Sequence, residues 1–270
     1  MMAFPPERIV CLTEETVETL YLLGEEARIV GVTGYAVRPP RVRREKPRVG
    51  AFLTADVPKI LTLAPDLVLT FSDLQADIAA ALVREGVAVH AFNQRSVAGI
   101  LEMIATLGAL VEAPERAAAL IERLEGRIEA ARAAAPAVRP KVYFEEWDDP
   151  IVAGIGWVSE LIEIAGGTDC FAPLARRGHA RERIITPEAI AEAAPDIVIG
   201  SWCGKKYAPW TVADRPGWAS IPAVTAGRVY EIKSPLILQP GPAALTDGLD
   251  RLSAIIRGDA SPVSTSRKGV

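Results

Sequence analysis

Residues 114–135, PERAAALIERLEGRIEAARAAA, decide how the rest of the chain is organised. Ala, Leu, Glu and Arg dominate this stretch, and they are good helix formers. Pro114 suits a first helical turn, where its missing N–H is no loss. Apolar residues recur three and four positions apart, which predicts one buried stripe along a helix. The stripe consists of Ala117, Leu120, Ile121, Leu124, Ile128 and Ala131. At 1.5 Å per residue the helix would be roughly 30 Å long, so we predict that it joins two lobes.

Strands and helices alternate on both sides of this helix. Before it, apolar runs predict strands at 8–12, 29–33, 67–71 and 87–92 and helices at 14–23, 56–63, 74–84 and 97–111. After it, they predict strands at 141–145, 197–201 and 229–232 and helices at 158–165, 187–194 and 243–256. Such alternation is typical of mostly parallel sheets covered by helices.

The predicted fold is therefore α/β, with two Rossmann-like lobes joined by one long helix. We expect an N-terminal lobe at 1–113, the connecting helix at 114–136, a C-terminal lobe at 137–258 and a disordered tail at 259–270. Ala64-Pro65-Asp66 and Ala194-Pro195-Asp196 each join a short predicted helix to an apolar strand, which indicates that the two halves are similar.

The composition excludes some classes of protein. The 270 residues carry a net charge of −4, whereas a nucleic-acid-binding protein needs a basic surface. No apolar run approaches the ~20 residues that cross a membrane. The N-terminus shows no signal region, so we expect either a cytoplasmic protein that starts at Met1 or a secreted one written without its leader.

The residues that most often bind metals are few and scattered. Cys11, Cys170 and Cys203 form no metal or disulfide pattern and are expected to be buried small residues. His90 lies on a predicted strand and is expected to be structural, whereas His179 lies in a loop and is a candidate ligand contact. We therefore predict no metal site and no intrinsic cofactor.

In open parallel sheets, ligands bind beyond the carboxyl ends of the strands. The residues that follow the predicted strands are therefore the candidate ligand contacts. In the first half they are Glu14, Tyr35, Arg38, Phe52, Phe71, Ser72, Gln75 and Arg95. In the second half they are Glu146, Trp147, Asp148, Trp157, His179, Trp202, Cys203 and Leu238.

Two features of these loops bear on function. All five tryptophans fall in loops or at element ends, and flat apolar walls suit a large planar or macrocyclic ligand, although each could simply pack on its own lobe. A run of acidic residues could indicate an enzyme, because paired carboxylates can act as a general acid and a general base. These residues are Glu145, Glu146, Asp148 and Asp149. Neighbours along a strand point to opposite faces, so these acids form no catalytic pair, and we predict that the protein is not an enzyme.

The chain resembles the ABC-transporter substrate-binding proteins of the vitamin B12 and iron-siderophore type. The matching segments lie in the same order and extend over most of the chain to about Arg257. They are 8–12, 22–24, 29–33, 39–40, 47–50, 60–61, 65–69, the helix 114–135, 142–150, 160–167, 195–198 and 227–230. The resemblance implies two lobes bridged by a rigid helix, a ligand held between them and a periplasmic or cell-envelope location. It also implies no catalysis.

The resemblance suggests a corrinoid as the ligand. A ferric siderophore or haem is the alternative, with Arg38, Arg95 and Arg181 as candidate contacts. A further alternative is a cytoplasmic relative without a transporter, which would be an enzyme or a sensor that uses Glu146 and Asp148. Members of this family dock on a permease through one glutamate in each lobe. Glu188 matches the second position, whereas Pro58 stands at the first, with Asp56 as the nearest acid. We expect a monomer whose partners are a small molecule and, if docking is retained, an ABC permease.

Overall fold

The computed structural model describes residues 4–265, except for the side chain of Ala213. The chain forms two compact units. The first comprises the chain up to Gln94 together with Ala98–Leu124, and the second comprises Arg95–Val97 together with the chain from Glu125 onward. Among the described residues, no helix has both the length and the apolarity that a membrane span requires.

The first unit contains a parallel four-stranded sheet with the strand order β2-β1-β3-β4. The strands are β1 (Ile9–Cys11), β2 (Ile29–Val32), β3 (Leu67–Phe71) and β4 (Val89–Phe92). The helices that begin in this part of the chain are α1 (Glu14–Leu22), α2 (Val42–Glu45), α3 (Val57–Thr62), α4 (Ala76–Arg84), α5 (Val97–Leu110) and α6 (Pro114–Ala133). Short 3₁₀ turns cover Glu26–Arg28 and Asp73–Gln75. Each predicted strand and long helix is present, with ends shifted by a few residues.

The long helix α6 matches its prediction. Ala117, Leu120, Leu124 and Ile128 of the apolar stripe are buried, because a spacing of three and four brings them to one side. A Cβ added at Gly108 of α5 would lie 2.4 Å from the Cβ of Ala117, so the two helices pack backbone to backbone at this point. The division between the two compact units falls within α6, at Leu124.

The second unit contains a five-stranded sheet with the order β6-β5-β8-β9, and β7 pairs with the beginning of β5. The strands are β5 (Lys141–Asp148), β6 (Ile151–Ala153), β7 (Thr168–Asp169), β8 (Ile197–Gly200) and β9 (Val229–Glu231). The helices are α7 (Gly156–Ile164), α8 (Ala172–Ala175), α9 (Pro187–Ala193), α10 (Trp210–Ala213), α11 (Pro222–Thr225), α12 (Ser234–Ile237) and α13 (Leu249–Arg257), with 3₁₀ turns at Ala180–Glu182 and Trp218–Ser220. A π-helical turn, Ala244–Gly248, precedes α13.

Two parallel-dominated sheets with covering helices confirm the α/β class. The antiparallel strand β6, which comprises three residues between Pro150 and Gly154, was not predicted. Part of the tail that was predicted to be disordered is described: the Val263 N–H donates to the Val229 carbonyl at 2.9 Å, and the Val263 side chain packs on the core. Residues 266–270 lie outside the described part of the chain.

The predicted similarity of the two halves is present in atomic detail. Ala64 and Ala194 both end a short helix in the left-handed conformation, with φ of 45° and 48°. The Asp66 carboxylate then accepts hydrogen bonds from the backbone N–H groups of Glu7 and Arg8, just before β1. The Asp196 carboxylate accepts one from Lys141 at the start of β5. Each turn thus joins its helix to the neighbouring parallel strand.

Candidate functional site

A pocket of about 370 Å³ lies in the second unit, where β5 ends and the hairpin to β6 begins. Its wall is mostly apolar, and two of its residues belong to the 3₁₀ turn Ala180–Glu182. The lining residues are Glu146, Trp147, Pro150, Val152, Ala180, Arg181, Ile184 and Cys203. The pocket thus brings together three predicted contacts, Glu146, Trp147 and Cys203, and the candidate anion contact Arg181. Its size lies at the lower end of the range for drug-sized ligands.

Each acid beside this pocket is paired with a base. Glu146 accepts hydrogen bonds from Arg183 at 2.6 and 3.1 Å, and the Arg183 side chain is only 1% exposed. Asp148 accepts two bonds from the Lys205 ammonium, at 2.7 and 2.8 Å. Both carboxylates are therefore held in ion pairs with basic side chains.

The Trp147 indole is held at the pocket wall by two contacts. Its Nε1 donates to the Asp149 carbonyl at 3.0 Å. The Lys205 ammonium lies 5.2 Å from the centre of the Trp147 ring and 4.9 Å from that of Trp202, which are cation–π distances. Trp147 is half-buried and therefore keeps a surface that a ligand can reach.

Trp157 and Trp202 are buried, each with 3% exposure. Trp157 Nε1 donates to the Ile237 carbonyl at 2.8 Å, and Trp202 Nε1 donates to the Glu145 carboxylate at 3.1 Å. Neither indole presents a surface to a ligand in this structure, contrary to what their loop positions suggested. Both lie at element ends, but partners from distant segments draw them into the core.

Glu145 is the centre of a buried polar cluster next to the pocket. Its carboxylate is inaccessible to solvent and accepts four hydrogen bonds, from Trp202, from the Tyr143 hydroxyl at 2.8 Å and from Arg215 at 2.5 and 2.9 Å. The Tyr207 ring covers the same region, packed so closely on Gly200 that a Cβ there would lie 1.9 Å from the ring. Burial raises the pKa values of Tyr143 and Tyr207 well above their ordinary range.

In the first unit, Gln75 joins the loops at the carboxyl end of the sheet. Its Oε1 accepts from the Phe71 N–H at 2.9 Å, and its Nε2 donates to the carbonyls of Leu12 and Phe52, at 3.2 and 2.7 Å. Gln75 and Phe71 are buried, Phe52 is half-buried, and Ser72 is buried with φ of 59°. The predicted contacts Phe52, Phe71, Ser72 and Gln75 therefore do lie together, and Gln75 has a structural role among them.

Several glutamate side chains lie in the first turns of α1. Glu14 is half-buried, and burial, with smaller contributions from Glu15 and Glu18, raises its pKa to about 8. Glu15 is 2% exposed, and burial raises its pKa to about 7. Glu18 pairs with Arg38 at 2.7 Å. Tyr35 is 48% exposed and is the first unit's most accessible predicted aromatic contact.

The remaining predicted contacts are dispersed. His179 is exposed, and its backbone N–H donates to the Glu182 carboxylate at 3.2 Å. Arg95 is half-buried and belongs to the second unit. Leu238 is half-buried and follows α12 directly. Cys203 is exposed, which corrects the expectation that all three cysteines are buried. Burial raises the pKa values of Cys11 and Cys170 to about 12.

The two docking candidates occupy comparable helices. Glu188 is exposed in the first turn of α9. The Asp56 carboxylate caps α3 by accepting from the Lys59 N–H at 3.0 Å, and Pro58 follows within that first turn. Among the described residues, no group of three or more His, Cys, Asp or Glu side chains is arranged to hold a metal ion.

The sequence analysis did not identify the basic residues that pair with the acids beside the pocket of the second unit. Arg183, Lys205 and Arg215 were not among the predicted contacts, yet each pairs with an acid of β5. The run of acids in β5 could have indicated these bases, because buried carboxylates such as Glu145, on a strand inside the sheet, require partners. Ile184, 47% exposed at the pocket, was also missed.

Comparison with known proteins identifies relatives along nearly the whole chain. YvrC of Bacillus subtilis (strain 168), an uncharacterized ABC transporter substrate-binding lipoprotein, is 27% identical over 265 residues, covering 94% of this chain and 81% of its own. A cobalamin-binding protein of Halobacterium salinarum is 26% identical over 245 residues, which are 88% of this chain and 66% of that protein.

The fold is also that of solved structures. The periplasmic heme-binding protein RhuT from Roseiflexus sp. RS-1, in its apo form, superposes with a TM-score of 0.79 at 24% identity, covering 93% of this chain and 99% of that one. Residues 9–236, most of the chain, match the family described as periplasmic binding protein. The chain therefore belongs to the periplasmic binding protein family.

Proposed function

We propose that this periplasmic binding protein serves an ABC-type uptake system and carries a corrinoid, a vitamin B12-like macrocycle. The observation that carries the proposal is the mostly apolar pocket at the end of β5, with the half-buried Trp147 in its wall. An aromatic wall with a few polar groups suits a flat, apolar group of a large ligand. The cobalamin-binding relative supports this ligand class.

The proposed contacts exclude the side chains that are buried and fully satisfied. In the second unit they are Glu146, Trp147, Arg181 and Cys203, all at the pocket. In the first unit they are Tyr35, which is exposed, and Phe52, which is half-buried. Glu146 and Trp147 lie near the carboxyl end of β5, and Cys203 and Tyr35 follow β8 and β2, the positions at which ligands bind to parallel sheets. Binding needs no covalent step, only the burial of a rigid ligand on preformed surfaces.

The partner that this function requires is an ABC permease. Glu188 is exposed in the first turn of α9, so its carboxylate is available to a basic partner. Asp56 is also exposed, but its carboxylate already caps α3. We infer that docking depends more on the second unit than on the first. We also infer that the protein acts in the periplasm or at the cell envelope.

Tryptophan fluorescence titrated with cyanocobalamin tests the ligand assignment. A corrin absorbs light and quenches nearby indoles, so we expect saturable quenching with a Kd of about 1 µM or tighter. The variant W147F removes the indole at the pocket and keeps an aromatic ring of similar character. We expect W147F to bind with nearly the same affinity and to show a smaller quench.

Haem serves as the competing ligand, because proteins of this fold include haem-binding ones such as RhuT. Free tryptophan at the same absorbance corrects for light absorbed by the corrin itself. If haem saturates the quench while cyanocobalamin at tens of micromolar does not, the corrinoid assignment is wrong and the alternative of a haem carrier replaces it.

A further inference from the structure

We propose that the pocket beside Trp147 accepts the aromatic base of a corrinoid's nucleotide tail and that Arg181 binds the phosphate of that tail. This inference rests on the proposed function and specifies which corrinoids the protein selects. Complete corrinoids carry a flat bicyclic base that is joined to the macrocycle through a ribose and a phosphodiester. Cobinamide, an incomplete corrinoid, has the same macrocycle and lacks this nucleotide.

The size of the pocket favours a part of the ligand rather than the whole. A volume of about 370 Å³ lies at the lower end of the range for sites that enclose drug-sized molecules. It accommodates a bicyclic base, whereas the corrin ring with its side chains is too large for it. The macrocycle therefore remains outside the pocket, and only a projecting group enters.

The wall of the pocket matches a flat apolar group. Trp147, Pro150, Val152 and Ile184 supply an aromatic ring and three aliphatic surfaces. The Trp147 ring is fixed in place by the bond from its Nε1 to the Asp149 carbonyl, so little entropy is lost when a second ring stacks on it. Ile184 is 47% exposed, and a base in the pocket would remove some of its apolar surface from water.

The charges at the pocket favour an anion. Glu146 is neutralised by Arg183, and Asp148 by Lys205. Arg181 is exposed at the pocket and forms no ion pair with any residue in the described part of the chain. The positive charge of Arg181 is therefore not neutralised by an acid and lies beside an apolar pocket. A guanidinium binds phosphate oxygens through paired hydrogen bonds, so Arg181 matches the single negative charge of a phosphodiester.

The test compares cobalamin with cobinamide by isothermal titration calorimetry on the full chain. We expect the unaltered protein to bind cobalamin about tenfold more tightly, a preference that corresponds to about 1.4 kcal/mol. The variant R181A should weaken cobalamin binding and leave cobinamide binding unchanged, so that the two affinities come within about twofold. The variant I184W places a larger side chain in the pocket. It should likewise weaken cobalamin binding and leave cobinamide binding unchanged.

The matched control is R177A, since Arg177 is an exposed arginine in the same loop and does not line the pocket. It should keep the full preference for cobalamin. Equal affinities of the unaltered protein for the two corrinoids would overturn this inference, as would an R181A variant that weakens both equally. The proposed function would survive either result. If neither corrinoid binds, the proposed function itself is wrong.

Discussion

Glu145 is a carboxylate within β5, beside the candidate site, that water cannot reach. Four hydrogen bonds saturate its two oxygens, and the two from Arg215 also provide the countercharge. A buried ion pair adds little net stability by itself, but the loss of one partner leaves an uncompensated charge in the core. Arg215 therefore fixes the chain between β8 and α11 onto β5, including the segment that carries Cys203 and Lys205.

Replacement of Arg215 tests the importance of its ion pair with Glu145. R215M leaves Glu145 buried without a countercharge, so we expect the free energy of unfolding to fall by about 3–5 kcal/mol. The double variant E145Q/R215M removes the charge as well and should recover part of that loss. Urea unfolding followed by circular dichroism measures both. K206M, at an exposed position in the same segment, is the control and should change stability by less than about 0.5 kcal/mol. A double variant less stable than R215M would contradict the account.

Glu15 provides a prediction about pH. Burial raises its pKa from 4.5 to about 7 in the folded protein, so between these pH values the folded chain holds a proton that the unfolded chain has released. The resulting stability is fully present below pH 4.5 and is lost as the pH rises through 7. E15Q keeps the neutral form at every pH. Its melting temperature relative to the unaltered protein should therefore be higher at pH 8 than at pH 5, by at least about 2 °C.

Differential scanning fluorimetry at the two pH values measures this difference. E85Q changes an exposed glutamate and serves as the control, with the same relative melting temperature at both pH values. A difference for E15Q that stays constant with pH would show that Glu15 does not hold a proton in the folded protein near neutrality.

At the scale of elements, the helix-to-strand turn that occurs once in each unit is the clearest repeated feature. The alanine that ends α3 and the one that ends α9 adopt positive φ, a conformation that costs a residue with a side chain about 1–3 kcal/mol. The aspartate two positions later repays this cost through its bonds to the neighbouring strand. The turn is therefore strained at one residue and anchored at another.

Replacement of the first alanine by glycine tests this interpretation. A64G relieves the left-handed strain and makes the unfolded chain more flexible, and the balance should raise the free energy of unfolding by up to about 1 kcal/mol. The matched control A119G makes the same chemical change at an exposed position inside α6, where it should cost about 1 kcal/mol. Opposite signs in urea unfolding are expected, and equal losses would contradict the account.

Sequence periodicity predicted the long elements well, because helices such as α6 show several repeats of their apolar spacing. It did not predict β6, β7 or the four-residue helices, which span about one turn each. It also misplaced Trp157 and Trp202. Their hydrogen-bond acceptors, Ile237 and Glu145, lie 80 and 57 residues away, and no local pattern reveals such a partner.

At the scale of the whole molecule, the two units repeat one arrangement with different chemistry at the strand ends. The first unit places Gln75 and a group of acids there, whereas the second places an apolar pocket with paired charges and one additional arginine. The sequence alone could predict which residues follow each strand. Which of them lie together depended on long-range ion pairs, such as the one between Glu146 and Arg183.

The most direct measurement is calorimetric titration of the full chain with cyanocobalamin, followed by haem. We expect saturable binding of one corrinoid per chain with a Kd of about 1 µM or tighter, and no displacement of the bound corrinoid by haem. Saturation by haem, together with no saturable heat from cyanocobalamin at tens of micromolar, would contradict it.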